Sequence, residues 1–311
     1  MLVPLAGGGQ ETLLSEVGLV LLPLFSTRDA CALRLVCREF LAAVSEHPWE
    51  DRGTVIQGSI AAWRACFPRA RAANISWQRD TRARATRVVD GDFGHLAGLR
   101  ALNMAGCRGV TDAAFGHLAG IDSLDMSGCS QAGVTDAAFA HLRGIHTLDM
   151  SRCDQDGVSD AAFAHLRGIR ALDMSFCNQA GVTSAAFVHL RGIHTLGMRG
   201  CWQEGLGDAA FAHLRGVQSL DMSWCAQGGI TDAAFVHLHG VHTLDMSYCF
   251  QAGITDAAIA RLAGVKDLCL WGCSQRGLTG ATFGALLGVV ELYVDRPEHV
   301  RQAWRHRVGA C

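Results

Sequence analysis

The sequence predicts an α/β solenoid, in which a short strand and a short helix alternate through many stacked copies of one unit. Three observations support this fold class. Cysteines recur with a first step of 22 residues and six further steps of 24. Each unit changes from strand-like to helix-like spacing of apolar residues. The helix is too short to be stable alone in water, so it must pack on the neighbouring unit. The recurring cysteines are Cys107, Cys129, Cys153, Cys177, Cys201, Cys225, Cys249 and Cys273.

The unit around residues 133–153 shows how each element is predicted. Residues 145–150, Ile-His-Thr-Leu-Asp-Met, have the alternation typical of a short strand with one buried face. Thr135 is well placed as a helix N-cap, and Asp136 follows in the first turn, where the helix dipole favours a negative charge. Gly144 closes the helix, which has about two turns.

The eight recurring cysteines are expected to form a buried column, because equivalent residues of stacked units lie about 5 Å apart. A thiol there fills a small apolar space and donates weakly to a loop carbonyl where the strand ends. The alternative is a chain of metal sites or disulfides. Metal ligands must converge on one ion, whereas a column presents them in parallel, so the sequence predicts neither a metal nor another cofactor.

Histidines also recur once per unit. Each lies two residues after the buried aromatic position of the helix, about 200° round the helix axis, which places it on the flank or the outside. A zinc-binding row is the alternative, but outer helices are more widely spaced than strands. The recurring histidines are His95, His117, His141, His165, His189, His213 and His237.

Aspartates between the Leu and Met of several strands are expected to face solvent. Neighbours about 5 Å apart repel by about 1 kcal/mol in water and by about 3 kcal/mol at an effective dielectric of 20. This cost leaves two interpretations: the aspartates bind a target, or duplication copied a harmless residue. These candidate target-binding residues are Asp125, Asp149, Asp173, Asp221 and Asp245.

Large aromatic residues follow the strands from the middle of the array onward. Beside an acidic sheet they could bind a partner, or they could shield the edge of the loops. The first interpretation adds Trp224, Tyr248 and Trp271 to the target-binding residues. It predicts a ligand with Lys or Arg next to an apolar anchor, whose binding weakens with salt. The aromatic residues are Phe176, Trp202, Trp224, Tyr248, Phe250 and Trp271.

The repeat resembles a leucine-rich repeat of the cysteine-containing subclass. The family pattern of spaced leucines ending in Asn or Cys is matched by Ile145, Leu148, Met150 and Cys153, and the resemblance covers residues 91–295. It implies a horseshoe-shaped solenoid with helices outside and a parallel sheet on the concave side, here of about nine strands. The repeats would then bind a target protein.

The segment of residues 11–51 resembles an F-box, a small all-α domain. The match is carried by the Leu-Leu-Pro-Leu-Phe stretch, the Leu-Val-Cys-Arg-Glu-Phe stretch and the trailing Pro-Trp. The resemblance implies docking on a Skp-type adaptor of a cullin-based ubiquitin ligase, with this chain as substrate receptor. The alternative is a helical cap for the first repeat. The implied adaptor-binding residues are Leu13, Leu14, Leu21, Phe25, Leu35, Val36 and Trp49.

The remaining segments are assigned by composition. Residues 1–10 are expected to be a flexible N-terminus, and residues 296–311 a polar C-terminal cap. Residues 52–90 form an arginine-rich connector that contains a degenerate first rung around residues 70–75. A nucleic-acid patch in this connector is the alternative, disfavoured because no aromatic stacking module accompanies the arginines.

Overall composition narrows the function. The net charge of −2 argues against a polycationic nucleic-acid binder, and no apolar run approaches the ~20 residues of a membrane helix. The odd number of cysteines, 13, and the lack of a signal peptide favour the cytoplasm, with the nucleus as alternative. No nucleotide-binding or nucleophile motif is present, so the chain is expected not to be an enzyme. The alternative to a ubiquitin-ligase subunit is a repeat-only binding scaffold or inhibitor.

Overall fold

The structure, a computed structural model, describes residues 21–77, 88–286 and 288–294 of the chain. In this part, ten three-residue strands form one parallel sheet, in which the strands follow one another in chain order. The count exceeds the expected nine by β1, which lies where the sequence predicts a degenerate rung. The strands are β1 (Ala72–Asn74), β2 (Ala101–Asn103), β3 (Ser123–Asp125), β4 (Thr147–Asp149), β5 (Ala171–Asp173), β6 (Thr195–Gly197), β7 (Ser219–Asp221), β8 (Thr243–Asp245), β9 (Asp267–Cys269) and β10 (Glu291–Tyr293).

The sheet keeps one register throughout the repeats. The central leucine of each strand faces that of the next, as Leu124 faces Leu148 and Leu148 faces Leu172. Hydrogen bonding continues past each strand, since the Met126 N–H donates to the carbonyl of Asp149 at 2.8 Å. The leucine points into the core, so the residues on either side of it lie on the opposite side of the sheet. We call that exposed side the sheet face, and we call each strand with its turn and helix a rung.

The helices of the rungs are short. In the β3 rung, Thr135 is the N-cap and its Oγ1 accepts from the Ala137 N–H at 3.3 Å, as predicted. The expected two turns are one α-helical turn and one 3-10 turn, Ala140–Leu142. The α-helical turns of the rungs are α4 (Asp112–Phe115), α5 (Asp136–Phe139), α6 (Asp160–Phe163), α7 (Asp208–Phe211) and α8 (Asp256–Ile259). A second 3-10 turn, Gly116–Leu118, follows α4 in the same way. In the other rungs the equivalent turns are 3-10: Asp90–Leu96, Ser184–Leu190, Ala234–His237 and Phe283–Ala285.

The core lies between the sheet and these helices and runs the length of the array. Leucines and methionines of the strands meet the helical phenylalanines there, and Phe139, Phe163 and Phe187 are fully buried. The cysteines form the predicted buried column beside them. The thiol of Cys177 donates to the carbonyl of Met150 at 3.0 Å, as its counterparts do in neighbouring rungs. Burial raises the pKa of Cys153 to about 12, so the thiol stays protonated.

A second buried column was not anticipated from the sequence. Glutamines two residues after the cysteines are almost inaccessible to solvent. The side-chain amide of Gln179 donates to the carbonyl of Cys153 at 2.8 Å, and that of Gln227 donates to the carbonyl of Cys201 at 2.6 Å. These two amides, and that of Gln155, tie one rung to the one before it. The buried side-chain amides of Gln203 and Gln251 form no such bond.

Aspartates of the helical first turns join adjacent rungs. Asp136 accepts from the backbone N–H of Ser159 at 2.7 Å and from its hydroxyl at 2.6 Å. From the sequence, only the helix dipole was expected to stabilise this carboxylate. Its hydrogen-bond partners in the structure belong to the next rung. In the β5 rung Ser184 replaces the aspartate: its Oγ accepts from the Gly207 N–H at 3.0 Å, and its hydroxyl donates to the Gly205 carbonyl at 3.1 Å. This junction therefore lacks the charge-assisted bonds of the others.

The N-terminal helices are continuous with the first rung. They are α1 (Thr27–Leu33), α2 (Arg38–Glu46) and α3 (Ile60–Cys66), preceded by a 3-10 turn, Leu22–Leu24. The carbonyl of Trp49 accepts from the N–H groups of Arg71 and Ala72 at 2.7 and 3.0 Å. The polypeptide before the repeats therefore contacts β1 directly. Within the described residues, no helix is long and apolar enough to cross a membrane.

Candidate functional site

Aspartates of neighbouring strands form a column on the sheet face. Asp125 pairs in register with Asp149, and Asp149 with Asp173. Gly197 of β6 interrupts the column, which resumes with Asp221 and Asp245. All five carboxylates are half-buried rather than fully exposed.

Each of these aspartates also accepts a hydrogen bond from the backbone N–H two residues later, which was not predicted from the sequence. The Oδ1 of Asp149 accepts from the N–H of Ser151 at 2.8 Å, and that of Asp245 accepts from the N–H of Ser247 at 2.8 Å. In β2 the neutral Asn103 does the same for the Ala105 N–H, at 2.9 Å. The signal that would have found this is an Asx residue two positions before a turn. The turn needs an acceptor and not a charge.

The charges of two aspartates of the column, Asp149 and Asp221, are unfavourable in the folded chain. Burial raises the pKa of Asp149, and the neighbouring Asp173 and Asp125 raise it further, while Ser151 opposes them. Burial likewise raises the pKa of Asp221, against the hydrogen bonds from Ser223. Asparagine would accept the same hydrogen bond in the turn without an unfavourable charge. The turn alone therefore does not explain why these positions carry aspartate.

A row of four residues beside the column has a left-handed backbone conformation. Arg152, Phe176, Trp224 and Tyr248 have φ of 58°, 58°, 61° and 54°. This conformation costs a non-glycine residue roughly 1–2 kcal/mol. Glycine fills the same position in the β2, β3, β6 and β9 rungs, at Gly106, Gly128, Gly200 and Gly272. These bulky residues therefore occupy positions where glycine would have a lower conformational energy. Such a cost is typical of residues that serve function rather than folding.

Two aromatic side chains, Trp224 and Trp271, contact Tyr248 along the solenoid. The rings of Trp224 and Tyr248 stack with centroids 4.4 Å apart. The indole N–H of Trp271 donates to the Tyr248 hydroxyl at 3.0 Å. Gly272 lies under the Tyr248 ring, where a Cβ would approach a ring carbon to 2.5 Å. Phe176, Trp202, Trp224, Phe250 and Trp271 are 38–61% exposed, and with Tyr248 they form what we call the aromatic rim.

Two arginines surround the first aromatic residue of the rim. The guanidinium carbon of Arg152 is 5.1 Å from the centroid of the Phe176 ring, and that of Arg199 is 5.9 Å away. Arg199 belongs to the β6 rung, where Gly197 has replaced the aspartate. The rim therefore has a cationic end at Phe176 and an aromatic end, bordered by carboxylates, at Trp224 and Tyr248.

The residues proposed for adaptor binding fall into three groups. Leu21, Phe25, Leu35 and Val36 are exposed, at 41%, 37%, 89% and 66%. Trp49 is only 1% exposed: its indole N–H donates to the Val44 carbonyl at 2.8 Å and its ring packs edge-on against Phe67. It therefore belongs to the core and is not a surface contact, which corrects the assignment for this residue. Leu13 and Leu14 lie outside the described residues, as do the segments of residues 1–10 and 296–311.

The histidines lie at the flank and outside of the helices, as predicted. In three rungs they accept a hydrogen bond from an arginine of the preceding rung, as His189 Nδ1 does from Arg167 Nε at 3.3 Å. Partial burial, then Arg167 and His165, lower the pKa of His189, while Asp160 raises it. Across the described residues, no three His, Cys, Asp or Glu side chains lie together as metal ligands would.

Solved structures of several other proteins share the architecture. A TLR13–ssRNA13 complex is 17% identical over 76% of this chain and 33% of that chain, with a TM-score of 0.59. The Toll–Spätzle complex of Drosophila is 14% identical over 83% of this chain and 34% of that chain, with a TM-score of 0.58. An internalin of Listeria monocytogenes is 13% identical over 77% of this chain and 64% of that chain, with a TM-score of 0.58.

The fold is a leucine-rich-repeat solenoid. The ten parallel strands in chain order and the likeness to these structures agree on this point. No protein-family model and no curated protein matches the sequence. The chain spans about one third of the first two proteins and 64% of the internalin, so the likeness concerns the fold alone.

Proposed function

We propose that this leucine-rich-repeat chain is a non-catalytic binding protein that holds a protein segment across the sheet face of β5 to β9. The observation that carries the proposal is the left-handed row, in which bulky residues replace glycine next to the half-buried aspartates. Exposed Trp and Tyr are typical anchors of protein interfaces, because they bury large areas with little loss of conformational freedom. The protein ligand of Toll, named with it in the solved complex, is consistent with such a use of the fold.

The test of this proposal uses the whole chain and a display library of random dodecapeptides. Selection on the wild-type protein should enrich peptides that no longer bind when Trp224 and Tyr248 are both replaced by glycine. Glycine is tolerated at these positions, since Gly200 and Gly272 occupy them in other rungs. Val188→Ala, on an exposed helical side chain away from the rim, serves as the control. If no peptide is enriched, or if the rim variant selects the same peptides, the proposal is wrong.

A second function, docking on a Skp-type adaptor, is supported by an exposed apolar patch at the N-terminal helices. Leu24, Leu35 and Val36 are 77%, 89% and 66% exposed. Single exposed apolar residues are ordinary, but several on one short helical unit are typical of an interaction surface. With this patch the chain would be the substrate receptor of a cullin-based ubiquitin ligase. It would supply proximity, while other subunits supply the chemistry.

This second function is tested by pull-down of a purified Skp-type adaptor with the full chain. Val36→Asp should abolish binding, because it places a charge among the exposed apolar side chains that would meet the adaptor. Val290→Asp is the matched control, since Val290 is 74% exposed at the opposite end of the array. Loss of adaptor binding in the Val36 variant alone supports the ubiquitin-ligase role. Failure of the wild-type chain to bind the adaptor leaves the N-terminal helices as a cap.

A further inference from the structure

The β6 rung reverses the charge of the sheet face. Gly197 stands where the neighbouring strands carry aspartate, and Arg199 stands where they carry serine, such as Ser175 and Ser223. The rung therefore changes from one negative to one positive charge in the middle of the column. Both replacements occur on the face that we propose binds a ligand.

The guanidinium of Arg199 forms no direct ion pair with a carboxylate within the described part of the chain, although Asp173 and Asp221 belong to the adjoining rungs. Its charge acts on Asp221 only through space, where it opposes the rise of the pKa of that carboxyl. Its Nε is buried without a hydrogen-bond partner, and its Cζ is 5.9 Å from the Phe176 ring centroid. A buried guanidinium nitrogen without an acceptor loses hydration without compensation. A cation kept for stability alone would be expected to pair with one of these carboxylates.

On the side of Arg199 towards Trp224 and Tyr248, the next carboxylates of the column lie one and two rungs further on. Asp221 and Asp245 belong to the same two rungs as the stacked rings of Trp224 and Tyr248, and each lies three residues before its ring. Parallel strands are about 4.8 Å apart, so this end of the rim lies roughly 5–10 Å from Arg199 along the solenoid axis. An extended peptide advances about 3.3 Å per residue and covers that distance in two or three residues.

From this arrangement we infer that the rim selects a zwitterionic peptide segment, with an acidic residue at Arg199 and a Lys or Arg two or three residues away. The carboxylate of the ligand supplies the acceptor that Arg199 lacks. The ligand cation lies against Trp224 and Tyr248, near Asp221 and Asp245. The inference rests on the proposed function and specifies its ligand, because the aspartate column alone would select only a basic segment.

The alternative ligand for arginines beside aromatic rings is single-stranded nucleic acid, whose bases stack and whose phosphates pair with cations. The carboxylates at the other end of the rim disfavour it. Asp221 and Asp245 belong to the rungs whose rings would stack on the bases, and their charges would repel successive phosphates. A peptide can place charges of both signs, whereas a phosphate backbone cannot.

The composition of the selected dodecapeptides tests the inference. On the wild-type chain, the enriched peptides should carry Asp or Glu two or three positions from Lys or Arg, in either order. On Arg199→Gln the preference for the acid should fall to the library background while that for the base persists. On Asp221→Asn with Asp245→Asn the reverse is expected. Arg215→Gln, which removes the same charge from an exposed position off the sheet face, should change neither preference.

Binding of one enriched peptide completes the test. Replacing its acid by the amide should weaken binding about tenfold on the wild type and not at all on Arg199→Gln, since charge-assisted hydrogen bonds are of that strength. Rim-dependent peptides that lack the acid, or an acid preference unchanged by Arg199→Gln, would overturn the inference but leave the proposed function intact. Salt-sensitive binding of a single-stranded 13-mer oligonucleotide that is lost in Arg199→Gln would replace the peptide by nucleic acid.

Discussion

The Oδ1 of Asp221 accepts hydrogen bonds from both the backbone N–H and the hydroxyl of Ser223, at 2.9 and 2.6 Å. The carboxylate thus closes the turn that follows its own strand. In β1 the neutral Asn74 makes both of the equivalent bonds to Ser76, at 3.0 and 2.7 Å. The structural part of the aspartate can therefore be separated from its charge by a single substitution.

Replacing Asp221 and Asp245 by Asn should leave the free energy of unfolding at pH 7 equal or higher. The amide keeps the turn, and the repulsion between neighbouring carboxylates disappears. Urea unfolding measures the change. Asp221→Ala, which removes the acceptor as well, should cost about 1–2 kcal/mol. A double Asn variant less stable than the wild type would show that the charge itself supports the fold.

The same carboxylates predict a pH dependence. The folded-state pKa of Asp149 and of Asp221 is raised, so the folded chain binds protons more readily than the unfolded chain. Above the raised folded-state pKa, these two carboxylates lower the free energy of unfolding. This loss disappears as the pH falls through the folded-state pKa to the lower pKa of the unfolded chain. Asp149→Asn with Asp221→Asn should lose this gain, so the stabilities of variant and wild type should converge as the pH falls towards 4. Unfolding curves at pH 7, 5 and 4 provide the comparison.

Replacing Cys177 by Asp should destabilise the chain by about 3–5 kcal/mol, because it buries a charge without a partner. Cys269→Asp is the matched control. Cys269 lies on the half-exposed sheet face, in register with Asp245, where other rungs carry aspartate. It should be tolerated within about 1 kcal/mol. Equal losses in the two variants would contradict the buried column, and unfolding of the wild type by a chelator would reveal a metal site.

The link between rungs predicts unequal effects of two alanine substitutions. Asp160 accepts from both the N–H and the hydroxyl of Thr183, at 2.7 Å each. Asp160→Ala should cost about 2 kcal/mol, since both bonds are charge-assisted. Ser184→Ala should cost no more than about 1 kcal/mol, because a neutral hydroxyl is lost. Thermal unfolding of both variants decides, and an equal cost would mean that the carboxylate adds nothing.

The arginine–histidine contacts predict a loss of stability in mild acid. The folded-state pKa of His189 is lowered, so the unfolded chain binds the proton more readily. Above the pKa of the unfolded chain, about 6.5, neutral His189 makes its full contribution to the free energy of unfolding. This contribution is lost as the pH falls from there through the lowered folded-state pKa. His189→Gln should reduce the drop in melting temperature between pH 7.5 and 5. A drop of unchanged size would assign the effect to other groups.

Most of the fold can be predicted from the sequence because the same strand and helix patterns recur in every unit. The spacing of Leu148 and Met150 sets the strand, and Thr135 sets the start of the helix. The partners of Asp136 and Gln179 could not be predicted, since they lie 23 and 26 residues away in the next or the previous rung. The same holds for Trp49, whose burial depends on Phe67 of the following helix. Long-range packing decides these cases, and local patterns do not contain it.

The constant register of the sheet has a consequence for the gene. Residues 134–157 form one complete unit of 24 residues, and cutting them out joins Gly133 to Val158 with every interface still chemically matched. Asp112 would then meet Ser159 instead of Thr135, and Leu124 would face Leu172 instead of Leu148. Unequal crossing-over can therefore lengthen or shorten the array without inventing a new contact. Each such event moves the N-terminal helices relative to the rim by one strand spacing, about 5 Å.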